Sequence, residues 1–239
     1  MMSSDAVPAD TLAPLGFVPD LVIFDCDGVL IDSEPVSARV VAAQRTALGL
    51  PTSAEEAQQR FVGMSLMEMQ TRFEAELGQP LPDHWRDTMV RHIVAAMRQE
   101  ARLIEGARDV LEALAGRGVP WRIASNSADV EMEAKFARTG LLALTEGRTH
   151  AAPRLATHGG RPKPAPDVFL DAAAAEGVAP ARCIVIEDSV TGMRGAVAAG
   201  MTGYGFAPED DGARLLEAGA YGIIRALRQV PHLIPATAR

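Results

Sequence analysis

Asp25 and Asp27 stand two residues apart at the end of an apolar run, Leu21-Val22-Ile23-Phe24, and Gly28 follows at once. The run reads as a buried strand and the glycine as a sharp turn, so both carboxylates are delivered to one small volume above a sheet edge. Two acids this close repel unless a cation sits between them or one keeps its proton. The pair points to a metal, a shared proton, or both. The ordinary alternative is an Asp-Gly turn that does no more than close a strand.

Two further strands are expected to end in polar chemistry. Val119–Ala124 leads into Ser125-Asn126-Ser127, and Arg182–Ile186 leads into Glu187-Asp188-Ser189. Ahead of a helix, Ser125-Asn126-Ser127 offers hydroxyls and backbone N–H groups that suit an anion, although the same residues also make a plain helix cap. Lys163, held between Pro162 and Pro164, presents either a point charge for a phosphate or a solvated turn lysine. In parallel sheets ligands bind at the carboxyl ends of strands, where the strand order reverses. Asp25, Asp27, Glu187 and Asp188 meeting at such an edge require a cation, and an all-oxygen donor set selects a hard one, Mg²⁺.

The elements that must position these groups fall into two kinds. From Ile104 onward helix and strand alternate: a helix over Gly106–Ala115, one over Asp129–Thr139 stopped by Gly140, and one over Val168–Glu176. Gly192–Ala199 and Asp211–Ala218 follow as helices, with strands over Met201–Phe206 and Tyr221–Ile224. This alternation implies a parallel sheet covered on both faces. The stretch from Gly140 to Lys163 reads as irregular, with His150 and His158 exposed. Between Pro35 and Arg102 the pattern is helical throughout, with Glu55–Val62, Leu66–Leu77 and Trp85–Arg102 following a first helix. Four helices without a strand cannot belong to that sheet and are expected as an inserted bundle. Met64, Leu66, Met67 and Met69 read as helix packing, His84 and His92 as surface or packing residues, and the Gly63-Met64-Ser65 loop as able to reach a ligand.

The 239 residues suffice for a core domain with an insert. Residues 1–18 are expected as a lead-in, 19–34 and 104–239 as an α/β, Rossmann-like core, and 35–103 as a helical cap. With 23 Lys and Arg against 31 Asp and Glu, the net charge is −8, which argues against a nucleic-acid surface. The two cysteines, Cys26 and Cys183, each lie beside an apolar run and read as core fillers of a reducing compartment. Met1–Pro19 holds no Lys or Arg and no long apolar run, so neither a secretory signal nor a membrane span is expected, and the location expected is cytoplasmic.

Taken in order, the segments resemble the four motifs of the haloacid dehalogenase superfamily: Asp25-Cys26-Asp27-Gly28-Val29-Leu30, Ile123-Ala124-Ser125-Asn126, Lys163-Pro164-Ala165-Pro166-Asp167, and Val185-Ile186-Glu187-Asp188-Ser189. The helical insert is similar to the cap of the subgroup holding sugar-phosphate phosphatases and beta-phosphoglucomutase. The resemblance implies that Asp25 is a nucleophile forming an aspartyl phosphate and that Asp27 is the acid and base, protonated when substrate arrives. It places the metal on Asp25, the Asp27 carbonyl and Asp188, with Glu187 a ligand or outer partner. It gives the phosphoryl group to Ser125, the Asn126 N–H and Lys163, with Cys26 beside them. Arg60, Met64, Ser65 and Leu66 are the expected cap contacts to a small phosphorylated metabolite.

Two departures weigh against a mutase. Ser37 stands where the mutase carries a histidine, and Leu66 follows Gly63-Met64-Ser65 where the mutase has an arginine. A metal-independent dehalogenase lacks the acid at the Asp27 position, and a phosphate-binding domain without turnover would not need the full set. Hydrolysis of a sugar or polyol phosphate by a monomer whose own cap covers the site is therefore the expected function.

Overall fold

The computed structural model describes residues 15–61 and 64–234. The first part of the chain gives β1 (Leu21–Phe24), β2 (Ile31–Asp32), α1 (Glu34–Ala47), α2 (Ala54–Phe61), α3 (Leu66–Leu77), α4 (Trp85–Glu100) and β3 (Arg102–Leu103). Next come α5 (Ala107–Gly116), β4 (Trp121–Ser125), α6 (Asp129–Thr139), α7 (Leu142–Thr145), β5 (Thr149–Ala151), α8 (Ala152–Ala156) and α9 (Asp167–Glu176). The last part gives β6 (Cys183–Glu187), α10 (Val190–Ala198), β7 (Thr202–Phe206), α11 (Ala213–Glu217), β8 (Gly222–Ile224) and a 3₁₀ segment over Leu227–Leu233.

Six strands pair in parallel in the order β5-β4-β1-β6-β7-β8. β1 carries no polar alternation because both of its faces are covered, as a central parallel strand requires. Val22 and Phe24 join an apolar layer with Trp121, Ile123, Ile184 and Ile186, while Leu21 and Ile23 face the opposite layer with Val185, Phe169 and Ala172. Each such fully buried side chain contributes roughly 1.5–3 kcal/mol relative to exposure. The site therefore rests on a strand buried on both faces.

The helices α1 to α4 enclose an apolar cluster of their own, with Val41, Phe61, Phe73, Trp85 and Met89. Phe73 meets Phe61 and Trp85 edge-on at 5.3 Å. Arg45 is inserted between the Phe61 and Phe73 rings, 4.6 and 4.8 Å from their centroids, and bonds Glu76 at 2.6 Å. Met69 is buried here while Met67 projects outward. His84 and His92 are exposed, as expected. The antiparallel pair β2 and β3 ties the two ends of this insertion together.

The sequence reading of the fold fails in two places. The stretch after Gly140 is not irregular: it holds α7, the edge strand β5 and α8. A three-residue strand without an apolar run leaves no period to detect. His150, expected on the surface, is buried, with Nδ1 2.6 Å from Asp171 Oδ2, because β5 pairs with β4 and α9 covers it. At the other end, residues 1–14 of the expected lead-in lie outside the described residues, whereas Leu15 and Phe17 pack against the core. Among the described residues no helix is long and apolar enough to cross a membrane.

Candidate active site

The strand order reverses at β1, between β4 and β6, so the carboxyl ends of three adjacent strands open onto one crevice. Asp25 follows β1 directly and donates its N–H to Ile186 O at 2.9 Å, which locks it beside the end of β6. Glu187 ends β6 and Asp188 follows. One carboxylate oxygen each from Asp25, Glu187 and Asp188 lies within 4.8 Å of the other two. Lys163 brings its ammonium to Asp25 Oδ1 and to Glu187 Oε2, the latter at 2.8 Å. Asp25, Glu187 and Lys163 are all buried.

Three carboxylates thus crowd together with one ammonium, which pairs with two of them. Burial, then the charge of Glu187, raises Asp25 from its ordinary 3.8 to about 7, against the opposing pull of Lys163. Burial, with Glu187 and Asp25 next in weight, lifts Asp188 well above the carboxylate range. The cluster is short of positive charge, and oxygen donors of this number and kind fit a hard divalent cation.

Two glycines make the cluster possible. Gly28 turns the chain at φ +77°, and a Cβ built on it would fall 1.9 Å from Asp188 Oδ2. A Cβ on Gly192 would fall 2.0–2.3 Å from the Glu187 carboxyl group. Glu187 Oε1 also accepts from the Ser189 hydroxyl at 2.7 Å, so both of its oxygens are engaged.

Ser125 is buried at the end of β4, and its Oγ accepts the Ser127 N–H at 3.0 Å. The Asn126 side chain clamps the Lys163 backbone, accepting its N–H at 2.9 Å and donating to its carbonyl at 3.4 Å. That clamp explains how a lysine in the loop before α9 reaches the end of β1.

Asp27 is arranged differently from the expectation. Its carboxylate is not part of the three-acid cluster. Lys135 Nζ donates to its Oδ1 at 2.6 Å, the Ser33 hydroxyl donates to the same oxygen, and the Ser127 hydroxyl donates to Oδ2 at 2.8 Å. Burial alone would raise Asp27, but the Lys135 charge and these hydrogen bonds outweigh it and hold the carboxyl below its ordinary value. In the substrate-free protein a buried ammonium thus faces Asp27 where only neighbouring carboxylates were foreseen, whereas the expected protonation concerns the substrate-bound state. Lys135 was missed altogether. The signal available was its place one helical turn after Glu131, on the buried side of α6.

The Cys26 side chain is fully buried in the apolar layer beneath the site. Ser65 caps α3 in a reciprocal box with Glu68, its Oγ accepting the Glu68 N–H at 3.2 Å while its own N–H reaches Glu68 Oε2 at 2.9 Å. Its hydroxyl is thus engaged within the insertion. Met64 lines a cavity of about 260 Å³ with Glu68, Thr71 and Arg72. Arg60 is paired with Glu56 and Glu76, both at 2.6 Å, and Gly63 lies outside the described residues. A cavity of about 510 Å³ at the N-terminal end of β4, lined by Trp121, Arg122, Arg148 and Glu176 among others, has no comparable acid cluster among the described residues.

The family model described as haloacid dehalogenase-like hydrolase matches residues 19–200. The chain is 30% identical to the 6-phosphogluconate phosphatase of Escherichia coli K12 over 183 residues, 76% of this chain and 80% of that one. It is 31% identical to hexitol phosphatase B of the same organism, over 75% of this chain and 79% of that one. Among solved structures, a haloacid dehalogenase-like protein of unknown function from Agrobacterium tumefaciens C58 superposes with a TM-score of 0.74 at 36% identity, over 92% of this chain and 99% of that one. With the matched segment spanning the acid cluster, the Ser125 strand end and Lys163, the chain belongs to the haloacid dehalogenase-like hydrolases.

Proposed function

We propose that the protein is a Mg²⁺-dependent phosphomonoester hydrolase acting on a small phosphorylated metabolite, a sugar or polyol phosphate, with the helices over residues 35–103 as a cap on its site. The observation that carries this reading is the meeting of Asp25, Glu187 and Asp188 around Lys163 at the strand-order reversal. Relatives at about 30% identity that act on 6-phosphogluconate and on hexitol phosphates support the substrate class.

In this reading Asp25 attacks phosphorus as its carboxylate, forming an acyl phosphate while the bond to the leaving oxygen breaks. Asp27 gives the leaving oxygen a proton and takes one from the water that later releases phosphate from Asp25. Because the Lys135 clamp holds unliganded Asp27 ionised, it takes up a proton from solvent as the phosphoryl charge arrives beside it. Lys163, the Ser125 hydroxyl and the Asn126 N–H hold the phosphoryl oxygens. Asp25, the Asp27 carbonyl and Asp188 would hold Mg²⁺, with Glu187 orienting Lys163. The cation would offset repulsion between the Asp25 carboxylate and the phosphate.

The test is hydrolysis of p-nitrophenyl phosphate and of a panel of sugar and polyol phosphates with Mg²⁺. Phosphate release that EDTA abolishes and Mg²⁺ restores is the expected result. Turnover that survives EDTA would sink the metal assignment, and no release from any ester would sink the phosphatase reading.

A further inference from the structure

Both oxygens of Asp27 are held from three separate elements, and the count of lone pairs says what remains. A carboxylate has about four acceptor sites. Ser33 and Lys135 fill those on Oδ1, and Ser127 fills one on Oδ2. The Ser127 hydroxyl is itself 2.9 Å from Lys135 Nζ. An ammonium only donates, so Ser127 must accept from Lys135, and its own hydrogen is directed to Asp27 Oδ2. One acceptor site is left, on Oδ2.

Resting on the phosphatase reading above, we propose that Lys135 is a positioning residue for the proton exchange of Asp27. It saturates Oδ1, orients the Ser127 hydroxyl, and so leaves a single oxygen lone pair through which the proton passes to the leaving group. Lys135 does not touch substrate. Its Nζ arrives from the middle of α6 and its side chain is 2% exposed, whereas the Asp27 side chain is 32% exposed and so open to the crevice. The fold thus puts a buried cation behind the acid and leaves its front free.

The proposal separates esters by their leaving groups. An alkoxide needs a proton as it departs, whereas p-nitrophenolate departs without one, so loss of Asp27 alignment falls on the first kind. In Lys135→Met, kcat/KM for 6-phosphogluconate, or for whichever aliphatic ester the wild type hydrolyses best, should fall on the order of 100-fold, and for p-nitrophenyl phosphate under about 5-fold. Lys135→Arg should recover part of the loss on the aliphatic ester.

Melting curves and circular dichroism distinguish misfolding from misalignment. If Lys135→Met does not fold, Ser127→Ala carries the test, because it frees the Oδ2 side of the same clamp and should show the same split between esters. Equal losses on both esters in a folded variant, or no loss on either, would overturn the proposal. Wild-type inactivity on both esters would instead refute the phosphatase reading, and this inference with it.

Discussion

Gly28 and Asp188 are in contact through the absence of a side chain: a Cβ on the glycine would overlap Asp188 Oδ2, 1.9 Å away. The acid occupies the space that any other residue at position 28 would need. Gly28→Ala should therefore act twice. The positive φ of +77° makes alanine unfavourable by about 1–2 kcal/mol, and the methyl group displaces Asp188 from the cluster. The expected outcome is a modestly lowered melting temperature together with loss of most turnover at saturating substrate. Full activity with only a stability change would show that Asp188 need not stand where it does.

Asp25→Asn should separate chemistry from folding. An amide cannot attack phosphorus, so turnover should fall by on the order of 10⁴-fold or more. Yet the substitution removes one negative charge from a three-acid cluster in which Glu187 still pairs with Lys163, so the metal-free variant should be at least as stable as the wild type. Urea denaturation in EDTA beside a phosphate-release assay checks both halves. Retained activity would exclude Asp25 as the nucleophile.

His150 carries a pH dependence remote from the chemistry. Burial lowers its pKa from 6.5, with the Asp171 hydrogen bond opposing. The folded state thus prefers the neutral ring, so the unfolded chain takes up the proton first on acidification. The His150 contribution is fully present above pH 6.5 and is lost as pH falls below it, with a slope bounded by about 1.4 kcal/mol per pH unit for one proton. The stability difference between His150→Gln and the wild type should shift in the variant's favour as pH falls from 7 to 5 in urea titrations, whatever the net slope set by the acid cluster. A difference that stays constant with pH would remove His150 as a source of pH dependence.

What was legible beforehand follows from where chemical signals sit in the chain. Asp25, Ser125 and Glu187 close apolar runs, and a run with polar residues at its end marks a strand and its functional edge together. Helices α3 and α6 were foreseen at their observed bounds, Leu66–Leu77 and Asp129–Thr139, because Ser65 and the terminal glycines punctuate them. Direction was harder than position. Cys26 lies between the two key aspartates, but on a strand end its neighbours face the crevice while it faces the core. Ser65 sits in the expected loop with its hydroxyl turned to its own helix. Lys135 stands in the middle of a helix, more than a hundred residues from Asp27, and only the packing of α6 brings the two together.

Mg²⁺ and protons should compete for the acid cluster. Asp25 sits at about 7 in the metal-free protein, against 3.8 ordinarily, and Asp188 is raised in the same direction. Between those pH values the cluster holds more protons in the folded state than in the unfolded chain, so its contribution to metal-free stability should fall as pH rises from about 4 to 7. A cation that replaces the protons should reverse the trend, raising the melting temperature more at pH 8 than at pH 6, with a tighter apparent Kd at the higher pH. Titration calorimetry and melting curves with and without Mg²⁺ at the two pH values measure this. Asp188→Asn should weaken the Mg²⁺ effect at both. A Mg²⁺ affinity independent of pH and of Asp188 would mean that the ion binds away from these carboxylates.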